Sequence, residues 1–235
     1  MLLKRARFLC AIFFILANAS LNAGDVAVFS DLGFSQNGSV YMFGQYGVTE
    51  HSLIPWADLN IINVETNDFV NGGRFSYKHH EKIDAGQDGQ GALLRLISKN
   101  SNFLKNYQST FMKQGVPLFV SLKNGHNRDG ETIDFRDFDF GTYYSAALIP
   151  QTHGKGKSSS SSFYILLDLT NKDGTKKTIR LGDPDVKRYG VSSYTIKKIM
   201  VNENRTSMIF VIEMTLPTTD GPNIRYMVEA LSLRP

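Results

Sequence analysis

Cysteine is almost absent from this sequence. The 235 residues include a single Cys, Cys10, which lies in an apolar stretch near the N-terminus. The rest of the chain therefore has no disulfide, no cysteine nucleophile and no thiolate ligand for a metal. A lipid anchor is not expected, because an anchored cysteine follows the apolar core and has Leu three residues before it, whereas Cys10 has Arg7. A domain of about 212 residues must then be held by its own hydrophobic core, which chains of this size usually build.

Long hydrophobic runs are also missing, apart from one between Phe8 and Ala17. This run follows three basic residues and precedes a short stretch of small and polar residues, an order typical of a secretory signal peptide. A membrane-spanning helix needs about 20 apolar residues, so an uncleaved anchor is the less favoured alternative. We predict a signal peptide over residues 1–23 and no integral membrane segment after its cleavage.

Two cleavage sites compete at the end of this signal peptide. The triplet Ala-Asn-Ala at 17–19 obeys the small-x-small rule for cleavage. Cleavage after Ala23 instead leaves Gly24 and Asp25 as a polar start before the first predicted strand, and we favour it. The mature domain then spans residues 24–235 and is periplasmic or secreted.

The mature chain has no large excess of positive or negative charge. Without the three basic residues of the signal peptide, 23 Lys and Arg face 22 Asp and Glu, a net charge of +1. This balance excludes binding to nucleic acid or to anionic membranes that depends on overall charge.

Short alternations of apolar and polar residues, separated by Gly, Asn, Asp and Ser, run through most of the chain and predict antiparallel hairpins. Asn-Gly within 35–38 and Asp-Gly within 171–174 mark two turns. One segment, 91–107, has apolar residues at helical spacing and predicts one helix packed on the sheet, which Asn100-Ser101-Asn102 is able to kink or split. The predicted strands are 26–34, 39–46, 57–64, 117–122, 138–148, 162–169, 176–181, 194–201, 207–214 and 224–233.

A low-complexity segment interrupts this pattern. Two Gly-Lys pairs at 154–157 are followed by five serines. Such a segment buries too little apolar surface to offset the entropy lost on ordering. We predict a single β-rich domain with a flexible Ser-rich loop at 151–161.

The two ends of the chain echo each other. Residues 32–43 align without gaps on residues 199–210, and each segment contains a strand, a polar turn and a strand that ends in Phe. A further predicted strand follows each copy. The echo predicts blade-like three-strand units at both ends, within a sandwich or a small propeller-like fold. Chance similarity between two hairpins is the alternative.

Several segments resemble a bacterial family of predicted secreted proteins of unknown function. They are Phe-Ser-Asp-Leu-Gly-Phe-Ser-Gln-Asn-Gly at 29–38, Phe-Gly-Gln-Tyr-Gly-Val at 43–48, Pro-Trp-Ala-Asp-Leu-Asn-Ile-Ile-Asn-Val at 55–64 and Gly-Pro-Asn-Ile-Arg-Tyr at 221–226. The resemblance covers the two ends of the chain. It implies export and a small β-rich domain, and it supplies no activity.

Motifs for catalysis and metal binding are scarce. No Gly-x-Ser-x-Gly elbow occurs, so nothing marks a serine nucleophile. His79-His80-Glu81 is the most suggestive metal cluster, but adjacent side chains of an extended segment point to opposite faces. We therefore predict no catalytic residue, no metal site and no cofactor.

Asp137 and Asp139 alternate with Phe138 and Phe140. On a strand, both carboxylates would project from one face, where they could bind calcium or support glycoside hydrolysis. The favoured interpretation is a half-buried strand with its aromatic side chains in the core and its acids in water, neutralised by Arg136.

The segment 45–56 reads as a long loop that carries Tyr46 and Trp56, the only Trp in the sequence. Long ordered loops on a rigid sheet commonly bind ligands, so we predict that Tyr46 and Trp56 contact a partner. The alternative is that Trp56 closes one end of the core.

The predicted function is that of an exported, non-enzymatic β-domain that binds or scaffolds an unknown protein or glycan of the cell envelope. A secreted hydrolase is the alternative from another class. A structural or assembly partner of an outer-membrane machine is a third hypothesis.

Overall fold

The computed structural model describes residues 24–107, 113–122, 132–154, 159–219 and 221–234. The predicted signal peptide lies outside the described residues, as does the 155–158 part of the predicted Ser-rich loop. The strands are β1 (Val28–Phe34), β2 (Val40–Val48), β3 (Pro55–Asn63), β4 (Asp68–Lys78), β5 (Val116–Val120), β6 (Thr132–Arg136), β7 (Tyr143–His153), β8 (Ser160–Thr170), β9 (Lys176–Leu181), β10 (Arg188–Tyr189), β11 (Ser193–Val201), β12 (Ser207–Thr218) and β13 (Gly221–Ser232), and the helices are α1 (Gln90–Lys99) and α2 (Ser101–Lys105).

These strands form three antiparallel sheets. The first sheet has the order β1-β2-β3-β4, and the central sheet has the order β13-β12-β11-β5. The third sheet has the order β6-β7-β8, with β9 and β10 both paired to the far edge of β8. The prediction of a mainly β fold with antiparallel sheets and three-strand units at both ends is confirmed.

The sheets stack face to face, and the central sheet is buried on both sides. On β12, Phe210 and Ile212 pack in a core shared with the third sheet. Ile209 and Val211, on the opposite face of the same strand, pack in a core shared with the first sheet. Successive side chains of a strand alternate between faces, so one strand serves two cores. Of the two arrangements left open by the sequence, the sandwich fits the described strands.

The helices cover the outer face of the first sheet, where Leu93, Leu96 and Leu104 pack on β2 and β3. The segment predicted as one helix is divided at Asn100. Its side chain donates a hydrogen bond to the Leu96 carbonyl at 2.8 Å, and its backbone leaves the helical region at φ −104° and ψ 13°. Back-bonding of this kind competes with the helical hydrogen bonds.

The echoed hairpins have the same local structure. The hairpin of β1 and β2 pairs Phe34 with Tyr41, and that of β11 and β12 pairs Val201 with Met208 at the equivalent positions. Gly38 and Arg205 are also equivalent, and both have positive φ values, 72° and 54°. The two turns touch, because the Ser207 hydroxyl donates a 2.7 Å hydrogen bond to the Gly38 carbonyl.

Two segments differ from the sequence expectation. Residues 138–140 form a turn between β6 and β7 rather than the start of a strand. Phe138 and Phe140 are exposed, not in the core. A short alternation of apolar and polar residues fits a turn as well as a strand. The prediction that a strand begins at residue 138 was therefore wrong.

The Ser-rich loop is also shorter than predicted. β7 continues to His153 and β8 begins at Ser160, and Ser160, Ser161 and Ser162 are buried. The Ser161 hydroxyl donates to the Val191 carbonyl at 2.8 Å. Ser161 is thus held in β8 by its hydroxyl, whereas the buried Ser162 hydroxyl has no hydrogen-bond partner among the described residues.

Candidate functional site

The predicted loop 45–56 is mostly strand. β2 and β3 remain paired from Val40↔Asn63 to Val48↔Pro55, which leaves only residues 49–54 as the turn. Tyr46 therefore lies within β2 and is 9% exposed. Burial, together with the carboxylate of Asp88, raises the pKa of the Tyr46 phenol.

Trp56 is partly buried and makes polar contacts within the protein. Its Nε1 donates to the Asp25 carboxylate at 3.1 Å, and the Arg225 guanidinium lies 4.2 Å from the ring centroid. Arg225 also binds Asp25, with 2.7 Å between Nη2 and Oδ2. These contacts join the first described residues to β3 and β13. They give Trp56 a structural role, and its predicted role in partner binding stays a prediction.

Asp137 and Asp139 both bind Arg205, not Arg136. The Arg205 Nε donates to Asp137 at 2.9 Å, and its Nη2 pairs with Asp139. Asp137 is almost fully buried, at 1% exposure. Burial disfavours its ionised form, but the hydrogen bonds from Arg205 and from the turn backbone outweigh burial and lower the pKa of Asp137. The carboxylates thus fasten the β6–β7 turn to the β11–β12 turn.

The same turn presents exposed aromatic side chains. Phe138 is 83% exposed, Phe140 57% and Tyr143 53%. The Arg136 guanidinium lies between two of them, 5.5 Å from the Phe138 ring centroid and 4.4 Å from that of Tyr143. Its Nε is buried and has no hydrogen-bond partner among the described residues. We call Arg136, Phe138 and Tyr143 the aromatic surface. The Phe140 ring instead lies under the Arg205 guanidinium, which is 5.0 Å from the ring centroid.

A cavity of about 570 Å³ opens beside the aromatic surface. Its polar lining includes Asp134, which accepts a 2.7 Å hydrogen bond from Ser145, and Asp168, which accepts one from Thr178. Cavities of this size and mixed lining are common at binding sites. The arrangement offers apolar area, one guanidinium and two carboxylates within one surface.

A second cavity, of about 580 Å³, lies where all three sheets meet. We call it the Glu229 groove, after the residue at its centre on β13. Glu229 is 5% exposed, and Asn67, from the β3–β4 turn, donates a hydrogen bond to its carboxylate. Burial raises the pKa of Glu229, although the Asn67 hydrogen bond and the charge of Arg188 act in the opposite direction. No sequence motif marks this residue, because its neighbours come from distant segments.

The histidines do not form a metal centre in the described part of the chain. His79 Nδ1 accepts a 3.0 Å hydrogen bond from the backbone of Glu81, which is a local turn contact. No group of three or more His, Cys, Asp or Glu side chains lies close enough to hold a metal ion within the described ranges. Neither of the described helices is long and apolar enough to cross a membrane.

These features define an antiparallel domain of three stacked sheets, with one surface cavity beside exposed aromatic side chains and another, the Glu229 groove, where the sheets meet. Residues 42–232 match the model of a family described as "Predicted secreted protein (DUF2259)". The chain belongs to this family of predicted secreted proteins. The match includes the resembling segments at 43–48, 55–64 and 221–226 and extends the resemblance through the centre. No curated protein and no solved structure matches the chain.

Proposed function

We propose that this protein is a non-enzymatic domain that is exported to the periplasm or beyond and binds a protein partner of the cell envelope through the aromatic surface. The observation that carries the proposal is the exposure of Phe138 and Tyr143 around Arg136. Export of the chain rests on the signal peptide, with cleavage after Ala23. The family description supports export and names no activity.

The composition of the aromatic surface is that of an interface core. Aromatic side chains and Arg are enriched at protein interfaces and dominate their binding energy. Exposed apolar area has no stabilising partner within the monomer, so a contiguous patch of rings is typical of an interaction site. Arg136 adds a guanidinium, and so a positive charge, among these rings.

The turn that carries these rings is rigid. One oxygen of Asp137 accepts hydrogen bonds from the backbone of Asp139 and Phe140, at 2.9 and 3.2 Å. The other oxygen is held by Arg205. A surface that is ordered before binding loses less conformational entropy when the partner arrives. The aromatic surface is therefore pre-organised for recognition.

Capture of a partner by matched variants tests this proposal. Wild type, a Phe138→Ala/Tyr143→Ala double variant and a Tyr189→Ala control are immobilised and exposed to envelope extracts of the host. Tyr189 is 76% exposed and lies on β10, at the opposite edge of the third sheet. We expect wild type and the control to retain the same discrete protein, and the double variant to lose it.

Thermal and chemical unfolding of the three proteins accompanies the capture. Because all three side chains are more than half exposed, we expect free energies of unfolding within about 1 kcal/mol of wild type. Equal capture by the double variant and wild type would contradict the proposal that the aromatic surface binds the partner. The proposal would also fail if the Tyr189 control lost the partner.

A further inference from the structure

We propose that the Glu229 groove is a separate site that binds an uncharged oligosaccharide. The site differs from the aromatic surface in position and in chemistry. Its floor is β13, one wall is the turn between β3 and β4, and the other wall is the loop between β9 and β10. The proposal does not depend on the protein partner.

Planar polar groups converge in this groove. The Glu229 carboxyl, the Asn67 amide and the Arg188 guanidinium all line it. Each of these groups presents two coplanar hydrogen-bonding atoms. Neighbouring hydroxyls of a sugar ring present a matching pair of donors and acceptors, so planar side chains of this kind suit a polyol better than an apolar ligand.

The polar groups are held in place by the fold. Asn67 has a positive φ of 53°, in the left-handed region that Asn adopts in turns more readily than most residues other than Gly. Its Oδ1 accepts a 2.6 Å hydrogen bond from the Ala230 backbone, while its Nδ2 donates to Glu229. Arg188 donates to the Val186 carbonyl at 3.2 Å. The hydrogen-bonding groups therefore need little rearrangement to receive a ligand.

An aromatic ring completes the site. Phe69 lines the groove and is 39% exposed. The Arg74 guanidinium covers one face of this ring, 4.6 Å from its centroid, so a sugar would stack on the opposite face. The polarised C–H groups of a pyranose are attracted to an aromatic face by the ring quadrupole.

The charges of the groove disfavour a charged ligand. Arg180 and Arg188 face Asp68, Asp183 and Glu229 along its lining, so neither sign dominates. Burial also shifts Glu229 toward its neutral form. A cavity of about 580 Å³ lies within the range of small-ligand sites.

Ligand-observed NMR and calorimetry with neutral oligosaccharides test the proposal. The probes are maltotriose, cellotriose and triacetylchitotriose, and the charged comparison probes are oligolysine and a sulfated trisaccharide. We expect one of the neutral probes to bind wild type and both charged probes to bind more weakly. Phe69→Ala should weaken binding about tenfold or more, the scale of one lost binding contact. Leu94→Ala, a control on α1 with 58% exposure, should bind as wild type does.

A second variant keeps the test decisive if Phe69→Ala does not fold. Glu229→Gln keeps the size of the side chain and removes one acceptor, so it should weaken sugar binding while the protein stays folded by circular dichroism. Absence of binding by all three neutral probes to folded wild type would overturn the proposal. Binding that is unchanged in both Phe69→Ala and Glu229→Gln would overturn it as well, as would preference for either charged probe.

Discussion

At the residue scale, two charged side chains, Arg205 and Asp25, join segments that are far apart in the sequence. Arg205 joins the turn after β11 to the turn after β6, and Asp25 joins the start of the domain to Trp56 and Arg225. Such pairs cannot be read from local sequence, because the partners are many residues away. The sequence analysis identified Asp137 and Asp139 as neighbouring carboxylates, but it predicted that Arg136 neutralises them.

Loss of Arg205 should destabilise the protein in a pH-dependent manner. Arg205→Gln leaves the buried carboxylate of Asp137 without its partner, so we expect the free energy of unfolding at pH 7 to fall by about 3 kcal/mol. The pKa of Asp137 is lowered in the folded protein. The stabilisation from its ionised form is therefore complete above the unfolded pKa, near 3.9, and is lost as the pH falls through the lowered folded value.

Urea unfolding of wild type and variant between pH 7 and pH 2 measures this effect. The difference between the two should shrink at the acid end of the series. Asp139→Asn is the matched control, since Asp139 is 72% exposed and should contribute less than about 1 kcal/mol. A pH-independent difference, or an equally large loss in the control, would contradict the role given to Asp137.

Trp56 has a clear structural role and a predicted functional one. We expect Trp56→Ala to lower the free energy of unfolding by about 3 kcal/mol, at the low end for a packed aromatic, because Trp56 contacts Arg225 and Asp25. Trp56→Phe keeps most of the packing and removes the Nε1 donor. Unfolding and partner capture are measured side by side for both variants. If a variant of unchanged stability no longer captures the partner, Trp56 contacts the partner. If folded Trp56→Ala captures the partner as wild type does, Trp56 has no role in binding.

At the element scale, the sequence predicts best those elements whose conformation depends on a few adjacent residues, such as hairpin turns. The hairpin turns at 35–38 and 171–174 were predicted from Asn-Gly and Asp-Gly, and both form. The strand β4 was missed because most of its residues are exposed and its inward face carries few apolar residues, Val70, Phe75 and Tyr77. β6, a strand of five residues, was also missed. The long hairpin of β2 and β3 was cut short in the prediction, which placed a loop at 45–56 where the two strands remain paired as far as Val48 and Pro55.

At the scale of the whole molecule, the three-sheet stack depends on contacts that the sequence does not reveal. Apolar residues on both faces of β12 indicate burial on both sides, but they do not say which sheets cover it. The Glu229 groove arises only from this stacking, since Asn67 and Glu229 lie 162 positions apart. Neither cavity could therefore be predicted, whereas export and the β-rich class could.

The central claim is that the aromatic surface meets a protein partner in the envelope, and site-specific photocrosslinking in living host cells tests it most directly. A photoreactive amino acid replaces Phe138 in one strain and Tyr189 in another, both of which are highly exposed. We predict that the probe at position 138 forms one discrete adduct with an envelope protein and that the probe at position 189 does not. Absence of any adduct at 138, or the same adduct from both positions, would contradict the claim.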